Sequence, residues 1–149
     1  MHLTTRGRYA VTAMLDLALR EERAPIRLAD IAQRQGLSLS YLEQLFAQLR
    51  RSGLVASVRG PGGGYRLARQ HHLLSVSEII DSVNERIDAT RCDGRGDCQQ
   101  GSTCLTHHLW VELSENLHDF LRGITIADLI RDNAARQERS TTELDVSDD

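Results

Sequence analysis

Three cysteines and a histidine lie close together in the second half of this 149-residue chain. Five residues separate Cys92 from Cys98, five more separate Cys98 from Cys104, and His107 lies three positions further on. Thiolate sulfur and imidazole nitrogen bind both zinc and iron-sulfur clusters. Glycines at positions 94, 96 and 101 give the intervening segment freedom to wrap a metal centre. The spacing therefore predicts a centre with four protein ligands.

The ligand types alone leave three chemistries open: a 2Fe-2S cluster, a Cys3His zinc site and a thiol redox switch without metal. Zinc sites more often use cysteine pairs separated by two residues, so the five-residue gaps favour the cluster. His108 follows Cys104 by four residues and is an alternative fourth ligand if Cys104 opens a helix, as we expect. An enzyme with Cys104 as nucleophile and His107 as base has no recognisable third group, so we expect no catalytic residues.

The charge is divided unevenly along the chain. Residues 1–70 contain 11 Arg against 5 Asp and Glu, a balance of +6, whereas residues 71–149 contain 7 Arg against 16 acids, a balance of −9. A basic half indicates an anionic partner such as nucleic acid. No segment is long and apolar enough for a membrane span or a secretion signal, so we expect a cytoplasmic protein without a membrane partner.

Three helices are predicted in the basic half. An apolar face predicts the first helix over 5–20, and Gly36 ends a short second helix over 28–35. Ser38 and Ser40 are N-cap candidates for a third helix with apolar residues at i, i+3, i+4 and i+7, which Gly53 ends. The second and third helices form a helix-turn-helix pattern.

A β-hairpin follows the third helix. Residues 54–59 and 65–67 resemble two short strands, and the glycine-rich segment 60–64 resembles the turn between them. A hairpin in this place is a wing. A phosphate-binding loop is the alternative for the glycines, but the Gly-Lys-Ser/Thr ending and a following helix are absent.

The polar face of the third helix and the wing together predict a DNA-binding surface. N-terminal residues of a recognition helix contact base edges, arginines bind phosphate, and a wing arginine can enter a narrow minor groove. Glu43 can accept from cytosine but repels phosphate, so it excludes some sequences. The predicted contact residues are Ser40, Glu43, Gln44, Arg50, Arg51, Arg59, Gly60, Gly62 and Gly63.

The acidic half is predicted to contain a fourth helix after Ser75, a loop over 88–103, a long helix opened by Cys104 and a short helix over 126–133. The long helix carries an apolar stripe over about four turns, more than so small a core covers, so we expect a homodimer. We therefore expect a mainly α fold with a small β-hairpin wing. It divides into a winged helix-turn-helix domain (1–70), a cluster loop with a dimerisation helix (71–135) and a disordered acidic tail (136–149).

Several strings are similar to the iron-sulfur cluster regulators of the IscR type, within a wider family of winged-helix repressors. They are LTTRGRYAVTAML (3–15), QGLSLSYLEQLF (35–46), GLVASVRGPGGGY (53–65), DATRC (88–92) and CLTH (104–107). The similarity covers the chain to about residue 133. His108 stands where the family usually has a small residue, so this sequence offers two histidines for the fourth ligand position.

The resemblance implies a homodimeric repressor that binds palindromic double-stranded DNA and holds a 2Fe-2S cluster on Cys92, Cys98, Cys104 and His107. It further implies that the repressor senses cluster supply, controls the genes for cluster assembly and receives its cluster from an assembly scaffold. The cluster-free form is expected to bind a second class of operators, with Glu43 guarding against the first. An electron carrier has no need of a wing, and a regulator with structural zinc or a thiol switch is the remaining alternative.

Overall fold

The protein is described here by a computed structural model, which covers residues 5–83, 90, 95–97 and 99–146. Within these ranges it is mainly helical with one two-stranded antiparallel sheet, which confirms the predicted fold class. The elements in chain order are α1 (Thr5–Arg20), α2 (Leu28–Gln35), α3 (Leu39–Arg51), β1 (Val55–Val58), β2 (Gly64–Leu67), a 3-10 turn (His71–Leu73), α4 (Val76–Ser82), α5 (His107–Arg122) and α6 (Ile126–Val146).

The helix-turn-helix forms where the capping residues place it. Gly36 ends α2 with a φ of 66°, a left-handed conformation that favours glycine. Ser38 then caps α3, its Oγ accepting a hydrogen bond from the Tyr41 N–H at 3.3 Å. Ser40, the other predicted cap, lies inside the helix. The bounds of α1 and α2 and the order of the three helices are as predicted.

The core lies between α1, α2, α3, α4 and the start of α6. Burial of the apolar faces of these helices is the main favourable contribution to folding, about 25 cal/mol per Å². The largest side chains with no solvent exposure are Phe46, Met14, Leu17, Ile31, Leu42, Leu45, Leu49, Leu74, Ile79, Val83 and Ile126. The rings of Phe46 and Tyr65 of β2 pack edge to face, with their centroids 5.0 Å apart, so the core continues to the base of the hairpin.

The hairpin pairs Val55 with Leu67 and Val58 with Gly64. Its base is fixed by a further bridge to the segment before α2, in which the Ile26 and Tyr65 backbones exchange hydrogen bonds of 3.0 and 2.7 Å. The predicted strand over 54–59 is shorter at both ends in the structure, and Gly64, which was predicted in the turn, is the first residue of β2.

Two capping boxes hold α4 and α6 in place. The Ser75 hydroxyl accepts from the Glu78 N–H at 3.2 Å, and the Thr125 hydroxyl accepts from the Asp128 N–H at 3.2 Å. The two caps lie side by side as an antiparallel bridge. α4 contacts both α1 and α5, so it connects the helix-turn-helix to the second half of the chain.

Two predictions for the second half are wrong. The long helix begins at His107, with Thr106 as its N-cap, and Cys104 precedes it in a turn. The last helix does not stop at Asn133: it continues to Val146, so residues 136–146 of the predicted disordered tail are helical. Hydroxyls in this extension bond to carbonyls one turn back, such as Ser140 to Arg136 at 3.1 Å. None of the described helices is both long and apolar enough to cross a membrane.

Candidate DNA interface and metal centre

The face of α3 opposite the core presents the predicted base-contacting residues to solvent. Ser40, Glu43 and Gln44 are exposed, whereas Leu42 and Leu45 are fully buried. The amphipathic pattern of α3 thus leaves an exposed, mostly polar surface beside its N-terminus, with Leu39 as an exposed apolar side chain at its start. Such a surface, on the second helix of a helix-turn-helix, has the shape that enters a major groove.

Arg50 and Arg51 lie exposed in the last turn of α3. Arg50 donates to the Ser57 hydroxyl of β1 at 3.4 Å, which links the recognition helix to the wing, and Arg51 Nε donates to the Ala47 carbonyl at 3.3 Å. The nearby Gln48 is half-buried, and its Oε1 is buried and has no hydrogen-bond partner among the described residues. Gln48 therefore lies at the edge of the exposed surface.

The wing carries Arg59, Gly60 and Gly62 in exposed positions and Gly63 in a half-buried one. Gly60 and Gly62 have φ values of 95° and 73°, which residues with a side chain rarely adopt. Gly63 has a different constraint, since an added Cβ would collide with the Val58 carbonyl oxygen and lie 2.8 Å from that of Gly60. The turn is thus tight and exposes its backbone around Arg59.

Two contacts that the sequence analysis missed support this surface. Glu21, at the end of α1, accepts a hydrogen bond from the Leu67 N–H at 2.6 Å and lies 3.4 Å from the His71 Nε2, so it supports the base of the wing. Tyr9 of α1 meets Tyr41 of α3 edge-on at 6.0 Å. Nothing in the spacing along the chain signals either pairing.

A buried carboxylate fixes α2 against α1. Asp16 accepts two hydrogen bonds from Arg34, at 3.1 and 2.6 Å, and a third from Gln35 at 2.8 Å. Burial alone would raise the pKa of Asp16, but the hydrogen bonds from Arg34 and Gln35 and the charge of Arg34 outweigh it and lower that pKa below its ordinary value. The carboxylate thus stays ionised and holds the last turn of α2, just before the turn of the helix-turn-helix.

Of the predicted metal ligands, Cys104 and His107 lie together at the start of α5. Cys104 is half-buried, and His107 is buried with 7% exposure. The backbone N–H of His107 donates a hydrogen bond to the backbone carbonyl of Cys104 at 3.3 Å. His108 is exposed, and its ring meets that of His107 at 5.4 Å. Cys92 and Cys98 lie outside the described residues. The described thiol and imidazole fit a mixed sulfur and nitrogen ligand set.

The predicted apolar stripe of α5 is only partly covered within one chain. Leu113, Leu117 and Leu121 are half-buried, while Leu109 is 55% and Phe120 65% exposed. Among the described residues of α5 the single buried side chain is His107. Part of the apolar face of α5 therefore remains uncovered within one chain.

The chain matches a family and many known regulators. Residues 3–132 match Rrf2, described as an iron-dependent transcriptional regulator. The chain is 54% identical to the HTH-type transcriptional regulator IscR of Vibrio campbellii, over 99% of this chain and 88% of that protein. It is 56% identical to the IscR of Cronobacter sakazakii, over 99% and 86%.

Solved structures agree with these relatives. T. potens IscR has a TM-score of 0.73 at 38% identity, covering 89% of this chain and 88% of that one. CymR, the global cysteine regulator of B. subtilis, has a TM-score of 0.74 at 32% identity, covering 87% and 95%. The family match over residues 3–132 contains the helix-turn-helix, the wing and α5. This chain is a member of the Rrf2 family of winged-helix, DNA-binding transcriptional regulators, and it is not an enzyme.

Proposed function

We propose that this regulator is a cytoplasmic homodimeric repressor that holds a 2Fe-2S cluster on Cys92, Cys98, Cys104 and His107. We propose that it controls the genes for cluster assembly and receives its cluster from an assembly scaffold. One observation carries the proposal: Cys104 and the buried His107 meet at the start of α5, and α5 contacts α4, which contacts α1 of the DNA-binding half. A change at the ligands therefore has a continuous packed route to the recognition helix.

Burial supports His107 over His108 as the fourth ligand. The His107 ring is withdrawn from water at the N-terminus of α5, whereas the His108 ring is exposed. A ligand held in one orientation by its surroundings binds metal with less loss of conformational entropy than a ring moving freely in solvent. Because His108 is exposed, its replacement removes no buried packing, which makes it the matched control for His107.

A bound cluster would be the sensor, because the fraction of chains that carry it would follow the cell's supply of clusters. One neutral imidazole among three thiolates makes such a centre labile. The chain's own residues supply the rest. Two copies of α3 would enter successive major grooves of a palindromic operator, with Ser40, Glu43 and Gln44 at base edges and Arg50 and Arg51 at phosphates. Arg59 and the backbone of Gly60, Gly62 and Gly63 would lie at the minor groove.

Two copies are proposed to associate through the uncovered apolar face of α5. Leu109 and Phe120 are more than half exposed in one chain, which is costly for side chains of this size. A two-fold axis brings the same face of each copy together and buries both. In this proposal residues 1–70 bind DNA and residues 71–135 bind the cluster and the second copy.

Anaerobic purification with metal and sulfide analysis tests the cluster. We expect visible charge-transfer absorption with about two iron and two sulfide per chain. His107→Ala should lower the iron content and shift the spectrum, while the matched variant His108→Ala should leave both as in the wild type. A colourless protein holding one zinc per chain would favour the alternative, a winged-helix regulator with structural zinc. A protein without metal whose DNA binding changes on thiol oxidation would favour the redox switch.

A further inference from the structure

Leu39 is an apolar side chain at the predicted DNA-contacting end of α3. It is the first residue of the helix, between the N-cap Ser38 and the exposed Ser40, and 42% of its surface is exposed. The other leucines of α3, at positions 42, 45 and 49, have no exposure. A single exposed leucine is common on protein surfaces, so its exposure alone carries no meaning. Its location at the start of a recognition helix does.

Helix geometry places Leu39 on the wing side of the recognition surface. Leu39 and Glu43 are four residues apart and so lie one above the other on the same face. Arg50 falls on this flank as well, and its hydrogen bond to Ser57 of β1 fixes which way the flank is turned. Leu39 therefore lies beside Glu43, at the edge of the surface nearest the hairpin.

The chemistry of the groove limits what a leucine can contact there. Residues in the first turn of a recognition helix approach base edges in the major groove. Leu39 has no hydrogen-bonding atom in its side chain, and the apolar group that bases present in that groove is the C5-methyl of thymine. Glu43 prefers a cytosine amino group, so the two side chains would discriminate at neighbouring positions by different means.

We infer that Leu39 contacts a thymine methyl in each half-site and sets a preference for thymine next to the base faced by Glu43. The inference rests on the proposed placement of α3 in the major groove. It adds a specificity-determining residue that contributes through apolar contact. A 5-methylcytosine carries the same methyl at the same place and should be preferred over cytosine at that position.

The test removes one methyl group from the DNA at a time. An operator is selected from a random library with the purified full-length protein, and each thymine is replaced in turn by deoxyuridine, which keeps every hydrogen bond and phosphate. For one thymine of the half-site, we expect the wild type to bind the deoxyuridine operator about three- to fivefold more weakly than the thymine operator. This is the value of one buried methyl group. Leu39→Ala should bind both operators equally. Leu73→Ala, which removes another exposed leucine from the 3-10 turn, should retain the wild-type difference.

Two outcomes overturn the inference: equal wild-type affinity for thymine and deoxyuridine at every position, or an unchanged difference in Leu39→Ala. Circular dichroism of both variants shows that α3 remains folded, and Leu39 is not one of the side chains that form the buried core. Failure of the wild type to select any DNA would instead overturn the proposed function, so the two failures are distinguishable.

Discussion

At the scale of single residues, Arg59 is the side chain whose contribution to DNA binding is easiest to isolate. It is exposed beside the glycine turn of the wing and follows directly after β1. We predict that Arg59→Ala weakens operator binding about tenfold and lowers the slope of log affinity against log salt by about one, because one fewer counterion is released. Fluorescence anisotropy over a range of salt concentrations measures both quantities.

Arg139→Ala is the matched control for Arg59, since this arginine is exposed on α6, far along the chain from the wing. It should leave affinity and slope as they are. If Arg59→Ala and Arg139→Ala behaved alike, Arg59 would have no part in the interface.

Asp16 gives a pH-dependent prediction. Arg34 and Gln35 hold its pKa below the ordinary value, so its contribution to stability is present above about pH 4 and is lost as pH falls through the lowered pKa. We predict that Asp16→Asn reduces the free energy of unfolding by about 2 kcal/mol at pH 7. Urea unfolding of both proteins between pH 7 and pH 2 should show this difference shrinking with acid. A difference that stayed constant over that range would contradict the assignment.

Sequence patterns predicted the structural roles of residues that act within one helix. They did not predict contacts that form only when helices pack together. Ser38 and Gly36 follow from capping rules, because a cap acts on its own helix. Asp16 and Arg34 are 18 positions apart and pair because their two helices pack together. Hydrophobic periodicity does not predict such a pair. The prediction of Cys104 as a ligand came from its chemistry and spacing, whereas the buried state of His107 required the structure.

At the scale of elements, the wing depends on glycines for two reasons. Gly60 and Gly62 need left-handed backbone, and Gly63 needs the space that a Cβ would take from the Val58 carbonyl. We predict that Gly63→Ala distorts the hairpin turn and weakens DNA binding about tenfold, while unfolding free energy falls by about 1 to 3 kcal/mol. Pro61→Ala, at an exposed neighbouring position, should cost less in affinity. Wild-type affinity in Gly63→Ala would show that the turn does not approach DNA.

α6 shows why element bounds were harder to predict than element types. After Asn133 the sequence loses its apolar periodicity, which led to the prediction of a disordered tail, but residues such as Ala134 and Ala135 have high helix propensity. The helix continues because propensity and local hydrogen bonds suffice for an exposed extension. The start of α5 was predicted too early because Leu105 fits the apolar period of the helix. In the structure Leu105 is fully exposed and precedes Thr106, the N-cap.

Truncation after Ala135 tests the extension of α6. Residues 136–144 are exposed, so we predict that removing 136–149 reduces the helical ellipticity at 222 nm but changes the unfolding free energy by less than about 1 kcal/mol. Unchanged ellipticity would show that this segment is not helical in solution.

At the scale of the whole molecule, the uncovered face of α5 is the proposed contact with a second copy. We predict that Phe120→Glu, which places a charge on this face, converts the dimer to a monomer and weakens binding to a palindromic operator more than to a half-site. Sedimentation equilibrium measures the association. Glu115→Lys changes the charge at an exposed position on a different face of α5 from Leu109 and Phe120 and should leave the dimer intact. A wild type that is monomeric at all concentrations would contradict the proposed assembly.

The central claim is that occupancy of the ligands at the start of α5 changes which DNA the recognition helices bind. Operator selection from one random library tests it directly, with anaerobically loaded wild type compared against a variant carrying Cys92→Ser, Cys98→Ser and Cys104→Ser. We predict that the two proteins enrich different operator classes and that the variant retains high affinity for its own class. Enrichment of the same operators with the same affinities by both proteins would contradict the claim.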